Sequence, residues 1–268
     1  MDSTVKKSGA EAVAPDGWEH LAPGVARRRM PGWDETVGVV AGDHGVLVVD
    51  AGATPADGAA LYREITGLFG RRPTHVVLTH PHFDHVMGAA GFTGCEVYAA
   101  VGMDGVLSRG RDELRGDAER HGVPAATAAE AAELLVTPHH LVSGELTVDL
   151  GGGRRVVIAN VGPGHTGHDL AVLVPGPVPV VFCGDLVEES GEPQAGPDAV
   201  PARWPAAMDR LLALGGEEAR YVPGHGAVVD AAFVRAQRDE LAGPSGGPRE
   251  GGGPAGEAAP PAAGPGVS

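Results

Sequence analysis

Thr79-His80-Pro81-His82-Phe83-Asp84-His85 is the stretch whose reading decides the fold of this chain. It follows an apolar run at 74–78 (THVVL) and precedes a small-residue stretch, Val86-Met87-Gly88-Ala89-Ala90. In extended backbone, residues i, i+2 and i+4 point the same way. His80, His82 and Asp84 are therefore expected to share a side, with a turn at Asp84-His85 sending the second imidazole elsewhere. Four metal-competent side chains within six residues are costly for a structural loop. Buried imidazoles and carboxylates must each find a partner, and a cation supplies one for all of them.

Three other stretches place His or Asp beside glycine just past an expected strand end: Gly164-His165-Thr166 after 156–161, Cys183-Gly184-Asp185 after 178–182, and Pro223-Gly224-His225-Gly226 after 221–222. Upstream, Asp50-Ala51-Gly52 closes a strand at 46–49. Glycine permits tight turns and close backbone approach, and loops beyond strand ends are where α/β folds gather their chemistry.

Around these points the chain reads as alternating strands and helices. Apolar runs at 36–41 and 46–49 flank Gly42-Asp43-His44-Gly45 as a hairpin. Residues 55–69 carry apolar side chains at helical spacing, 95–99 is a strand, and 102–136 is helix-like with a break at Gly122-Val123-Pro124. A second hairpin, 146–150 with 155–161, turns at Gly151-Gly152-Gly153. Strands at 170–174 and 178–183, a helix at 204–214, a strand at 221–222 and a closing helix at 230–241 complete the pattern. That order predicts an α/β architecture of two mixed sheets packed together with helices outside. Three segments are expected: a loose lead-in at 1–23, one domain at 24–242, and a tail at 243–268. The tail holds nine glycines and six prolines with three charges, and is expected to be disordered.

Composition narrows the partners. Against 20 Lys+Arg stand 35 Asp+Glu, a formal net charge of −15, and such a field opposes approach to polyanions. Nucleic acid is not expected as a partner. Cys95 and Cys183 are too few for a disulfide framework. No apolar run approaches a membrane span or signal peptide, so the cytoplasm is the expected location, with no membrane partner. Oligomeric state is not legible.

The ordered set of motifs resembles the metallo-β-lactamase superfamily over about residues 24 to 241. Residues 79–85 match its HxHxDH motif in full. Asp50, His165, Asp185 and His225 fall where its first, third, fourth and fifth motifs are expected. The resemblance implies a four-layer αββα sandwich with the site at one edge between the sheets. It implies that His80, His82 and His165 bind one metal and that Asp84, His85 and His225 bind a second. Asp185 bridges the two, and Asp50 orients ligands from behind. Two Zn2+ per chain are expected, with iron or manganese open at the second site. Two such cations hold hydroxide at neutral pH, and that hydroxide would attack a small ester, lactone or thioester, with Asp84 and Asp185 as catalytic carboxylates. A mononuclear iron dioxygenase of persulfides is the first alternative, and a non-enzymatic metal-binding or regulatory protein the second.

Departures from subfamily patterns sharpen this. Asp185 stands where typical zinc β-lactamases carry cysteine, and His82 where flavodiiron enzymes carry glutamate. His168 lies three, not four, residues beyond His165, so the match to glyoxalase II-like thioesterases is partial. His168 and Cys183 are read as structural, and His139 and His140 as surface. Thr79 and Thr166 are candidates to support the ligands. Trp33 and the long stretch 187–204, with its Glu188-Glu189 pair, are expected to wall the substrate pocket.

Overall fold

The computed structural model describes residues 17–243. In chain order the elements are β1 (Trp18–Ala22), β2 (Val25–Arg29), β3 (Thr36–Ala41), β4 (Val46–Val49), α1 (Pro55–Phe69), β5 (His75–Val77), α2 (Phe83–Val86), β6 (Glu96–Ala100), α3 (Met103–Arg109), α4 (Arg111–Arg120) and α5 (Ala125–Glu133). The second half runs β7 (His140–Val142), β8 (Glu145–Asp149), β9 (Arg155–Asn160), β10 (Leu170–Val174), β11 (Val180–Glu188), α6 (Trp204–Gly215), β12 (Arg220–His225) and α7 (Ala231–Ala242). One sheet holds seven strands in the order β1-β2-β3-β4-β5-β6-β7, and the other holds five in the order β12-β11-β10-β9-β8. Both are mixed. The first turns from antiparallel to parallel at β4–β5, and the second at β11–β12.

Strand alternation builds the layers. Val40, Leu47, Val49 and Val77 from the first sheet meet Val156, Ile158, Val172 and Phe182 from the second in a dry inner layer. The opposite-facing Val39, Val46, Val48 and Val76 pack with Leu61 and Ile65 of α1, and Val181 packs with Trp204, Met208 and Leu211 of α6. Helices therefore cover both outer faces, giving the four-layer αββα sandwich. Helix α1 has the expected start, with the Thr54 hydroxyl accepting from Asp57 N and Pro55 in the first turn.

The structure revises several sequence expectations. Residues 18–22 are not part of a loose lead-in: they form β1, an edge strand pairing with β2, anchored by the buried Trp18. Residues 1–16 and nearly all of the expected tail lie outside the described residues. The helical stretch breaks at Gly110 as well as at 122–124, giving three short helices. The HxHxDH segment is not extended throughout; it bends at 80–81 and enters α2 at Phe83, so Asp84 and His85 leave from a helical turn. Nor do Asp185 and His225 lie beyond their strands. β11 runs on to Glu188 and β12 to His225, pairing Glu188 with His225 across register shifts around Gly184. Gly184 adopts φ +55, a left-handed backbone that breaks the alternation and turns Asp185 towards the site.

Among the described residues, no helix is long and apolar enough to cross a membrane.

Candidate metal centre

Seven side chains from five chain segments converge at one edge between the sheets. His80 and His82 come from the bend after β5, Asp84 and His85 from α2, and His165 from the loop after β9. Asp185 comes from the irregular part of β11, and His225 from the end of β12. They fall into two groups whose ligand atoms lie within 4.8 Å of one another: His80, His82, His165 and Asp185; and Asp84, His85 and His225. Asp185 sits between the groups. Its Oδ2 is 3.5 Å from Nε2 of His80, His165 and His225 alike, and its Oδ1 is 3.3 Å from Nε2 of His85. Gly224 makes that position available, because a Cβ there would lie 1.8 Å from Asp185 Oδ1.

Each of the five imidazoles is held at one nitrogen and directs the other inward. His80 Nδ1 meets the Thr79 hydroxyl at 2.9 Å, and His85 Nδ1 meets Asp50 Oδ2 at 2.9 Å. His165 Nδ1 meets the Gln194 carbonyl at 3.1 Å, and His225 Nδ1 the Trp33 carbonyl at 2.7 Å. His82 is held the other way round, with Nε2 3.3 Å from Asp198 and Nδ1 3.0 Å from His165 Nε2. Anchoring one nitrogen fixes the tautomer in which the other can offer a lone pair to a cation. His80 Nε2 and Asp185 Oδ1 are buried with no hydrogen-bond partner among the described residues. Buried polar atoms are seldom left so. A cation between the groups would satisfy both, so this donor set fits a metal.

Asp50 holds the centre from behind. Its carboxylate accepts from Thr79 N and Thr79 Oγ1, both at 2.8 Å, as well as from His85. It is buried and has φ +63, an uncommon backbone for a residue with a side chain. The turn is docked onto α2 and the 3-10 turn after it, with Ala51 N donating to His85 O and Gly88 N to Gly52 O.

The protein's own charges mark the same place. Burial pushes His80 down to about 3, aided by the neighbouring His85, and burial likewise holds His165 well below the usual imidazole range. At the other group burial also opposes charge, but Asp185 and Asp84 overcome it. They raise His225 to about 10 and, together with Asp50, His85 well above its usual value. Desolvation opposes charge on the largely covered Asp185 too, yet His85, His225 and His80 hold it well below the ordinary carboxylate range. Without metal, protons sit where cations would.

All eight residues expected from the sequence at the site come together there. His168 does not join them; its Nδ1 meets the Val101 carbonyl. Cys183 is buried in the core under α6 and α7, where burial pushes its thiol up. Thr166 bonds through N and Oγ1 to Asp169 Oδ1, fixing the His165 loop. Of the glutamate pair, Glu188 is buried at the cleft and accepts from Ser190, while Glu189 accepts from Ala227 N beyond His225. Sequence reasoning passed over Asp198, Asp169 and Glu35. Asp169, four residues after His165, had a spacing signal. Asp198 and Glu35 had none, because loop geometry brings them in. Glu35 is fully buried, accepts from Gly52 N and is bridged through its backbone to His225.

A cleft of about 610 Å³ opens above the centre, bounded by Trp33, Phe83, α4 and the loop between β11 and α6.

This combination of sandwich and His/Asp cluster defines a class of αββα proteins with a candidate metal centre between the sheets, and comparison with known proteins gives it a family. The metallo-beta-lactamase superfamily model matches residues 30–225, and the chain belongs to that superfamily. Metallo-beta-lactamase domain-containing protein 1 of Xenopus laevis is 30% identical over 161 residues, spanning 59% of this chain and 57% of that protein. Among solved structures, the metallo-beta-lactamase from Pontibacter korlensis superposes with TM-score 0.62 at 21% identity, covering 83% of this chain and 98% of that one. The DIM-1 metallo-beta-lactamase does so with TM-score 0.65 at 18% identity, covering 84% and 96%. At these identities the structures speak for the fold alone.

Proposed function

We propose that the protein is a dinuclear metal-dependent hydrolase of a small ester, lactone or thioester. The observation that carries this reading is the set of five imidazoles, each tethered at one nitrogen and aimed at a common centre by the other. His80, His82 and His165 would hold one ion, Asp84, His85 and His225 the other, with Asp185 shared. Zinc suits the three-histidine group, and iron or manganese also suits the group containing a carboxylate. When bound, such ions supply Lewis acidity and make hydroxide available at neutral pH. The completeness of the second group favours this reading over a mononuclear iron oxygenase.

The chain's residues do the rest. Asp50, Thr79, Asp198 and the Trp33 and Gln194 carbonyls keep the imidazoles in the tautomers that leave inward lone pairs. Asp84 and Asp185 line the cleft floor; Asp185, held ionised by the imidazoles around it, would serve as a shared anchor, and Asp84 would be the carboxylate that takes a proton from water and returns it to the leaving oxygen or sulfur. Buried Phe83 and half-buried Trp33 bound the cleft and limit water around the scissile group. A hydrolysis panel of esters, lactones, thioesters and β-lactams on zinc- and iron-loaded protein tests this. Turnover abolished by chelation and restored by metal supports it; turnover that survives complete metal removal, or oxygen consumption with one iron per chain, overturns it.

A further inference from the structure

The cleft over the centre has one-sided walls. Residues Glu113, Asp117 and Arg120 lie at i, i+4 and i+7 of α4, the spacing of a single helix face, and all three line the cleft. Arg120 is the single Lys or Arg among the described residues lining it. Its guanidinium is spent on Asp117 Oδ1, 3.0 Å away. Across the cleft, the loop between β11 and α6 presents Glu192. Of the remaining lining carboxylates, Asp198 is occupied by His82 and Glu188 by Ser190. Glu113 and Glu192, both exposed, have no cationic partner at the mouth among the described residues.

Next to Asp117 stands an aromatic wall. Phe83 stacks on His121 at 5.3 Å and 22°, and Trp33 meets Phe83 edge-on at 5.4 Å. Trp33 Nε1 donates to the His121 carbonyl at 3.2 Å, tying the wall together across 88 residues. Aromatic faces beside carboxylates favour a cation on an apolar body, and a carboxylate there would meet uncompensated like charge.

We propose that the cleft selects acyl substrates whose group remote from the scissile carbonyl is apolar and positively charged, and that it rejects carboxylate-bearing ones. This rests on the hydrolase reading above. The test therefore has two arms, one of which does not depend on turnover.

In the first arm, three thioesters with one acyl chain and a trimethylammonium, a tert-butyl or a carboxylate terminus are compared on the metal-loaded protein. The expected kcat/KM order is cation, neutral, anion, with about fivefold per step at low salt and convergence as ionic strength rises. Equal rates, or a preference for the carboxylate, overturn the proposal. Complete inertness of all three counts against the hydrolase reading instead.

The second arm reads the cleft's potential directly. Trp18 and Trp204 are 1% and 0% exposed, so quenchable emission belongs to Trp33. Relative to free tryptophan amide, caesium is expected to quench the full-length, metal-loaded protein several-fold better than iodide, with acrylamide as the neutral control. The double variant E113Q/E192Q is expected to remove that preference and to narrow the cation-over-anion rate ratio. Iodide quenching as well as or better than caesium in the unmodified protein overturns the proposal, whatever the first arm gives.

Discussion

Asp50→Asn is the sharpest perturbation of the centre, because it changes the side chain by one group without altering its shape. The carboxylate accepts three hydrogen bonds, two of them into Oδ2: from Thr79 Oγ1 at 2.8 Å and from His85 Nδ1 at 2.9 Å. An amide has one acceptor oxygen. If that oxygen faces Thr79 N, the amide NH2 confronts the hydroxyl and His85 Nδ1–H. His85 must then give up its Nδ1 proton and keep one only on Nε2, the nitrogen that points at Asp185 and His225. If the amide is flipped, its NH2 opposes Thr79 N instead. Either way a buried donor loses its acceptor, at a cost of about 1–3 kcal/mol, on top of a charged hydrogen bond exchanged for a neutral one. For a domain of this size the expected fall in Tm is about 4–10 °C. Metal affinity at the Asp84, His85 and His225 group is expected to drop about 10- to 100-fold, the usual effect of removing a partner behind a ligand. Calorimetric metal titration beside thermal unfolding of the chelated protein measures both. An unchanged affinity and an unchanged Tm would refute the reasoning that Asp50 sets the His85 tautomer.

Further consequences are equally direct. Because His225 and His85 are held protonated near neutral pH, metal uptake at pH 7 is expected to release protons, measurable as a dependence of binding enthalpy on buffer ionisation heat. In the metal-free protein, raising His225 from about 6.5 to about 10 contributes stability that is fully present below pH 6.5 and lost as pH climbs towards 10. The Tm of chelated protein should fall across that window, and fall less in His225→Asn. Gly224→Ala places a methyl 1.8 Å from Asp185 Oδ1; the clash should cost about 1–3 kcal/mol in denaturant unfolding and weaken binding at both groups. Asp198→Ala frees His82 Nε2 from its partner, so affinity at the His80, His82 and His165 group should fall about tenfold. Its Tm should barely move, since Asp198 is exposed; a large loss of stability would contradict this.

The site was more legible than the strands that carry it. Residues 79–85 are contiguous, and the other ligands sit beside glycines, so residue type and order alone point to them. The hairpin at 36–49 and helix α1 were legible because periodicity, turn residues and the Thr54 cap agree. What failed had physical causes. The sequence around Gly184 and Pro223-Gly224 reads as strand ends, yet parallel pairing resumes beyond the irregularity at Gly184. β1 was lost because Glu19 and His20 interrupt its apolar pattern, while long-range pairing with β2 decides it. Thr79 and Asp50, which anchor His80 and His85, were legible; the other three imidazoles are held by Trp33 O, Gln194 O and the loop residue Asp198, whose place beside them has no signal in the sequence.

The central claim is that these imidazoles and carboxylates form a two-ion centre, and elemental analysis of metal bound per chain tests it most directly. After metal loading and removal of free ion, two equivalents per chain are predicted, falling towards one in Asp84→Ala/His225→Ala, with the folded state retained by circular dichroism. A folded protein that retains no metal at micromolar concentration, or a variant that binds as much as the parent, would contradict it.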